Sequence, residues 1–181
     1  MGVDVLIGVC GSIAAYKILE VLSQLSKIGI TTRVVMTKAA TQFVTPLSFQ
    51  TMSAHPVEVD GFAPSSDILH ISLARQSRLL LIAPATANFI AKMALGLGDD
   101  LLSSIVLSTT TPILVAPAMN TEMWNHKAVM RNVQQIEKDG CILIPPAEGL
   151  LACKEEGLGK LAEVNRIVAE IQKQLLLISR S

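Results

Sequence analysis

The chain has 181 residues, half of them hydrophobic, 3% aromatic, and Lys+Arg and Asp+Glu cancel at 15 each. This length fits one domain with a sizeable core. The balanced charge and the lack of a Lys/Arg cluster leave no electrostatic footprint for nucleic acid, and no apolar run reaches the ~18–20 residues of a membrane span. Charged residues make up only 17% of the chain, against about a quarter in ordinary domains. With a mean hydropathy of +0.49, this points to surface buried between copies of the chain, a homo-oligomer. The start, Met1-Gly2-Val3-Asp4, lacks the basic segment of a secretory signal. Cys10, Cys141 and Cys153 are odd in number and lack CxxC spacing. That fits a reducing cytoplasm and argues against a disulfide framework or a metal site.

Val3 to Val9 is a short β-branched run that reads as a buried strand, closed by Cys10-Gly11-Ser12. Helical periodicity follows over 13–22 and stops near Gly29. Thr32 to Met36 is a second strand, after which Thr37 is placed to cap a helix from Lys38 to Phe43, broken at Pro46. The stretch 47–66 carries no clear period, and 67–75 reads as a short helix opening after Ser65 or Ser66. Arg78 to Ala83 is a third strand, ending in Pro84-Ala85-Thr86-Ala87-Asn88, where Asn88 opens a helix that runs to about Leu95. Another apolar helix covers Leu101 to Leu107.

Pro112 to Ala116 is the fourth strand. It passes through Pro117-Ala118-Met119-Asn120 into one helix from Thr121 to Lys138, which Asp139-Gly140 ends. Residues 141–144 form the fifth strand. A loop over 147–159, punctuated by glycines, precedes a last helix over 164–177. Strand and helix alternate throughout. The expected fold is therefore α/β: a single doubly wound, Rossmann-like or flavodoxin-like parallel sheet with helices on both faces, spanning residues 1–181.

In such sheets ligands bind beyond the carboxyl ends of the strands. Four ends here carry polar capping groups: Gly11-Ser12, Thr37, Thr86 with Asn88, and Met119-Asn120. Each alone reads as a helix cap, but four on one rim make a pocket of neutral donors and acceptors. His70, flanked by Leu69 and Ile71, is either a structural histidine or an acid–base group near neutrality. Cys153 sits between Leu151-Ala152 and Lys154, ahead of Gly157 and Gly159. It is either an incidental thiol or, with its pKa lowered by Lys154 in a mobile flap over about 147–163, a proton donor. Cys10 and Cys141 read as core residues.

Pro117-Ala118-Met119-Asn120-Thr121-Glu122-Met123-Trp124, Pro84-Ala85-Thr86-Ala87-Asn88-Phe89, the segment beginning at His70, and Leu151-Ala152-Cys153 together resemble the flavin-dependent cysteine decarboxylase family. The resemblance covers nearly the whole chain. It implies FMN held by Gly11, Ser12, Ile13, Thr37, Lys38, Ala39, Thr86, Ala87, Asn88, Phe89 and the backbone at Ala118. Phe89 departs from the family pattern by lacking a hydroxyl. The resemblance also implies His70 and Cys153 as catalytic groups, Asn120 as the grip on a substrate carboxylate, and Met119, Ala152 and Lys160 beside the substrate. It further implies trimers, singly or gathered into a dodecamer, with the active site between subunits.

Its substrates end in a cysteine carboxylate, which has no electron sink until the thiol is oxidised. Phosphopantothenoylcysteine is one such substrate, and a peptide with a C-terminal cysteine is another. The segment around Cys153 favours the former, while a flavin-binding regulatory subunit without catalysis is a third reading. The sequence ends at Ser181 without the synthetase domain often fused in bacterial members, so a separate enzyme is expected to make the substrate.

Overall fold

The computed structural model describes residues 2–59, 68–150 and 156–180, and structural statements refer to these. Five strands, β1 (Val3–Val9), β2 (Thr32–Met36), β3 (Ser77–Ala85), β4 (Ile113–Pro117) and β5 (Ile142–Leu143), form one parallel sheet in the order β2-β1-β3-β4-β5. In β1, Val5, Ile7 and Val9 enter one core and Leu6 enters the other. Burial on both faces explains why the strand reads as a continuous apolar run rather than an alternating one.

The helices are α1 (Lys17–Lys27), α2 (Pro46–Ser53), α3 (Leu69–Arg75), α4 (Ala87–Leu95), α5 (Leu101–Ser108), α6 (Thr121–Asn125), α7 (Lys127–Lys138) and α8 (Val164–Ile178). Helices α1, α2 and α8 cover one face, and α3, α4, α5 and α7 the other. In α1, Ile18, Val21, Leu22 and Leu25 recur at helical spacing and are all fully buried. Each contributes about 1.5–3 kcal/mol by leaving water, and Leu22→Ala would cost about 2–5 kcal/mol.

Several local expectations are corrected. The segment after β2 makes only a turn of 3-10 helix at Ala40–Gln42, because Thr45 before Pro46 is held extended at φ −73, ψ 146. Pro46 then starts a helix, for which its fixed φ suits the first position, and α2 buries Phe49 within the stretch expected to be irregular. The cap of α4 is Thr86, whose hydroxyl accepts from the Phe89 N–H, so Asn88 lies inside the helix rather than opening it. The expected helix over 121–138 splits at His126. That residue is extended and re-caps the chain by accepting the Ala128 N–H on Nδ1 at 3.2 Å.

The expected loop over 147–159 contains a two-stranded antiparallel ribbon, β6 (Ala147–Leu150) and β7 (Glu156–Lys160). The proposed opening of α3 at 65–67 lies outside the described residues.

Strand order positions the site. The chain runs outward from β1 to β2, then returns to place β3 on the other flank of β1, which opens a switch point between β1 and β3. The carboxyl ends of β2, β1, β3 and β4 therefore lie side by side. Among the described residues, no helix is long and apolar enough to cross a membrane.

Candidate functional site

Beyond β1 the chain passes Cys10-Gly11 and enters a turn of 3-10 helix, Ile13–Tyr16, capped by Ser12 Oγ, which accepts the Ala14 N–H at 3.3 Å. Beyond β2, Thr37 Oγ1 accepts the Ala40 N–H at 3.3 Å. Beyond β3, Thr86 caps α4. Beyond β4, Asn120 caps α6 through Oδ1, which accepts the Met123 N–H at 2.8 Å. Each cap satisfies one orphan N–H and leaves other N–H groups of the first turn pointing out of the sheet edge.

These ends border two cavities. One, of about 430 Å³, lies at the switch point. Gly11, Thr37, Lys38, Ala39, Thr86, Ala87, Asn88 and Phe89 surround it, together with Cys10, Lys92, Asp100 and Met123. The other, of about 500 Å³, lies beyond β1 and β4. Ser12, Ile13, Ala118, Met119, Asn120 and Lys160 line it, with Lys17, Tyr16 and Leu150 among the rest.

All of the expected cofactor residues and three of the expected substrate residues thus border one or other cavity. His70 is half-buried in the first turn of α3 and borders neither. Cys153 and Ala152 lie outside the described residues.

The switch-point cavity has the chemistry for a flavin nucleotide. A Cβ on Gly11 would sit 2.6 Å from the Cβ of Ala39 and 3.0 Å from its carbonyl carbon. The β1 and β2 loops therefore close to backbone contact at a place where only glycine fits. The N-terminus of α4 offers N–H groups and the positive end of its dipole, which suits an anion, and the hydroxyls of Thr37 and Thr86 and the Asn88 amide are neutral. Phe89 is 2% exposed and packs into the core with Ile90. It contributes its capped N–H and its bulk, so the hydroxyl missing there is not required to complete the capping turn.

Sequence reading missed three features of the rim. Lys17, at the start of α1, joins Lys160 in the second cavity. The signal was its place one turn past Ser12. Lys160 is paired with Glu163 at 3.0 Å, whereas among the described residues Lys17 has no ion pair. The second feature is a clasp in which Lys92 donates to Asp99 and Asp100, both at 2.7 Å.

Asp100 also caps α5. It accepts the Ser103 N–H at 2.8 Å, and its own N–H is accepted by Ser103 Oγ. Burial raises the Asp100 pKa, but the Lys92 ammonium and the Ser103 N–H outweigh it and hold the carboxyl below the usual aspartate value. The third feature is Cys10, which is fully buried yet borders the cavity. Burial pushes its thiol up to about 12, so it stays protonated there.

Residues 1–176 match the model of the family described as Flavoprotein. The coenzyme A biosynthesis bifunctional protein CoaBC of Bacillus subtilis (strain 168) is 44% identical over 172 residues, covering 94% of this chain and 42% of the relative. Its counterpart from Vibrio cholerae serotype O1 is 41% identical over 173 residues, covering 94% and 43%. The chain thus spans about two-fifths of the length of these curated relatives. Among solved structures, the FMN-dependent cysteine decarboxylase SpaF matches with a TM-score of 0.87 at 33% identity, covering 98% of this chain and 97% of that one. A mutant PPC decarboxylase complexed with pantothenoylaminoethenethiol matches with a TM-score of 0.83, also at 33% identity, covering 100% of both chains.

Proposed function

Because the chain belongs to the Flavoprotein family, we propose that it is an FMN-dependent decarboxylase that converts 4′-phosphopantothenoylcysteine to 4′-phosphopantetheine. One observation carries the reading. Asn120 spends only its Oδ1 on the α6 cap, so its exposed side-chain amide is left to donate to a carboxylate. It stands in a cavity that also holds two lysines, beside the switch-point cavity whose residues suit a flavin nucleotide.

FMN, when bound, supplies the electron sink that a cysteine carboxylate lacks. The Gly11–Ala39 approach and the N-terminus of α4 would hold it. Asn120 fixes the substrate carboxylate. Lys17 and Lys160 hold the phosphate, Lys160 as a compact point charge rather than a fork. Met119 and Ala118 wall the reacting end. His70 serves the oxidative half of the reaction, and Cys153 gives a proton to the substrate carbon left by CO2.

His70 borders neither cavity, and Ile13, Tyr16 and Leu150 at the rim are 56%, 56% and 64% exposed. Both features fit a site completed by a second copy in a homotrimer, and a cytoplasmic setting fits such an enzyme. The test is turnover: FMN-loaded protein incubated with phosphopantothenoylcysteine should release CO2. A flavin-free protein that takes up no FMN would end the proposal.

A second reading is oxidative decarboxylation of a peptide ending in cysteine, since the chain matches the FMN-dependent cysteine decarboxylase SpaF as well as it matches the PPC decarboxylase. Turnover of a cysteine-ended peptide but not of phosphopantothenoylcysteine would favour it.

A further inference from the structure

Strand β7 lies against the corner that carries Asn120. The Met119 N–H donates to the Gly159 carbonyl at 2.9 Å. Gly159 has φ +141, and a Cβ there would run into the Met119 carbonyl oxygen and come within 3.3 Å of the carbonyl carbon and oxygen of Asn120. Two residues earlier, a Cβ on Gly157 would strike Thr121 Oγ1 and lie 3.1 Å from Thr121 Cγ2. Thr121 Oγ1 is itself buried without a hydrogen-bond partner.

A buried hydroxyl with no partner is costly, so the corner is held here by contact rather than by polar bonding at that atom. The two glycines that read in sequence as looseness are therefore where the ribbon and the corner meet most closely. The close approach spans Met119, Asn120 and Thr121, the residues that aim the Asn120 side chain.

We infer that Gly157 and Gly159 are positioning residues. The ribbon β6–β7 is keyed through them to the Met119–Thr121 corner and thereby sets where the Asn120 amide stands for its carboxylate. The inference rests on the proposed role of Asn120. A side chain at Gly157 pushes Thr121 away and tilts the corner without touching the flavin cavity. It should weaken the hold on substrate more than the chemical step.

The decisive experiment is a rescue in full-length, FMN-loaded protein. Gly157→Ala should raise KM for phosphopantothenoylcysteine about tenfold, as overpacking does when it displaces a contact, with kcat and FMN affinity nearly unchanged. Adding Thr121→Ala removes Oγ1 and Cγ2 from the collision and should return KM most of the way to that of the Thr121→Ala single variant. An unchanged KM in Gly157→Ala, or a double variant no better than it, overturns the inference.

If Gly157→Ala does not fold, hydrogen exchange in the wild-type protein decides. The Met119 amide should be protected together with the ribbon amides, and exchange at the rate of an exposed loop amide overturns the keying. If wild-type protein turns over no phosphopantothenoylcysteine, the functional reading fails, while Met119 exchange still judges the contact itself.

Discussion

Asn120 has two jobs in this account, and substitution separates them. Its Oδ1 caps α6 at 2.8 Å from the Met123 nitrogen, and its amide is assigned to the substrate carboxylate. Asn120→Ala loses both. The cap is worth about 1 kcal/mol, which in a chain of this size lowers Tm by about 2–4 °C. The lost hydrogen bond to a charged group is worth about 1.5–3 kcal/mol, or roughly a 10- to 150-fold fall in kcat/KM. Asn120→Asp keeps the oxygen that caps and adds a negative charge at a helix N-terminus, so Tm should hold or rise.

That aspartate would, however, face the substrate carboxylate. Two like charges about 4 Å apart at a surface-like dielectric repel by about 4 kcal/mol, roughly a thousandfold in kcat/KM. Steady-state decarboxylation and a thermal melt on the same three proteins make the comparison. An Asn120→Asp variant that keeps wild-type kcat/KM would refute the carboxylate role. One that melts as low as Asn120→Ala would refute the cap.

Three further outcomes follow from the packing of other residues. Gly11→Ala brings a Cβ to 2.6 Å from Ala39 Cβ and must part the β1 and β2 loops, costing about 1–3 kcal/mol and weakening FMN binding in a fluorescence titration. Asp4 and Asp100 are both held below the ordinary aspartate value of 3.8 although burial opposes it, by Thr31 and Arg78 around Asp4 and by Lys92 and Ser103 around Asp100. Each therefore adds stability that is complete above that value and is lost as pH falls through the lowered one. In denaturant titrations Asp100→Asn should flatten the drop in stability below about pH 4 while lowering stability at pH 7. Cys10 and Cys141 are pushed by burial up to about 12 and about 11. Iodoacetamide at neutral pH should therefore spare both, and peptide mapping should find the fast label at Cys153.

How much of this was readable without coordinates depends on how local each cause is. Ser12, Thr86 and Asn120 cap turns within three residues of themselves, so the polar rim and the parallel sheet were legible from strand ends alone. Thr86 displaced Asn88 as the α4 cap because a hydroxyl one residue after the strand reaches the Phe89 N–H first. The ribbon β6–β7 was not legible. Ala147–Leu150 and Glu156–Lys160 carry no β-branched alternation, and what fixes β7 is a backbone approach to Met119–Thr121 some forty residues earlier in sequence. The Lys92–Asp100 clasp joins two helices across a glycine break and could be seen only once both were packed. His70 was singled out as a lone histidine between apolar neighbours, but that it borders neither cavity belongs to the folded arrangement.

Mass spectrometry of the product formed from phosphopantothenoylcysteine tests the central claim most directly. The expected product is 4′-phosphopantetheine, lighter than the substrate by one CO2 and by nothing else, with the FMN back in its oxidised form after each turnover. A product lighter by CO2 and two hydrogens, with the flavin left reduced, would contradict the proton-donor role of Cys153 and favour the peptide-type reaction. No product at all from FMN-loaded protein would contradict the whole assignment.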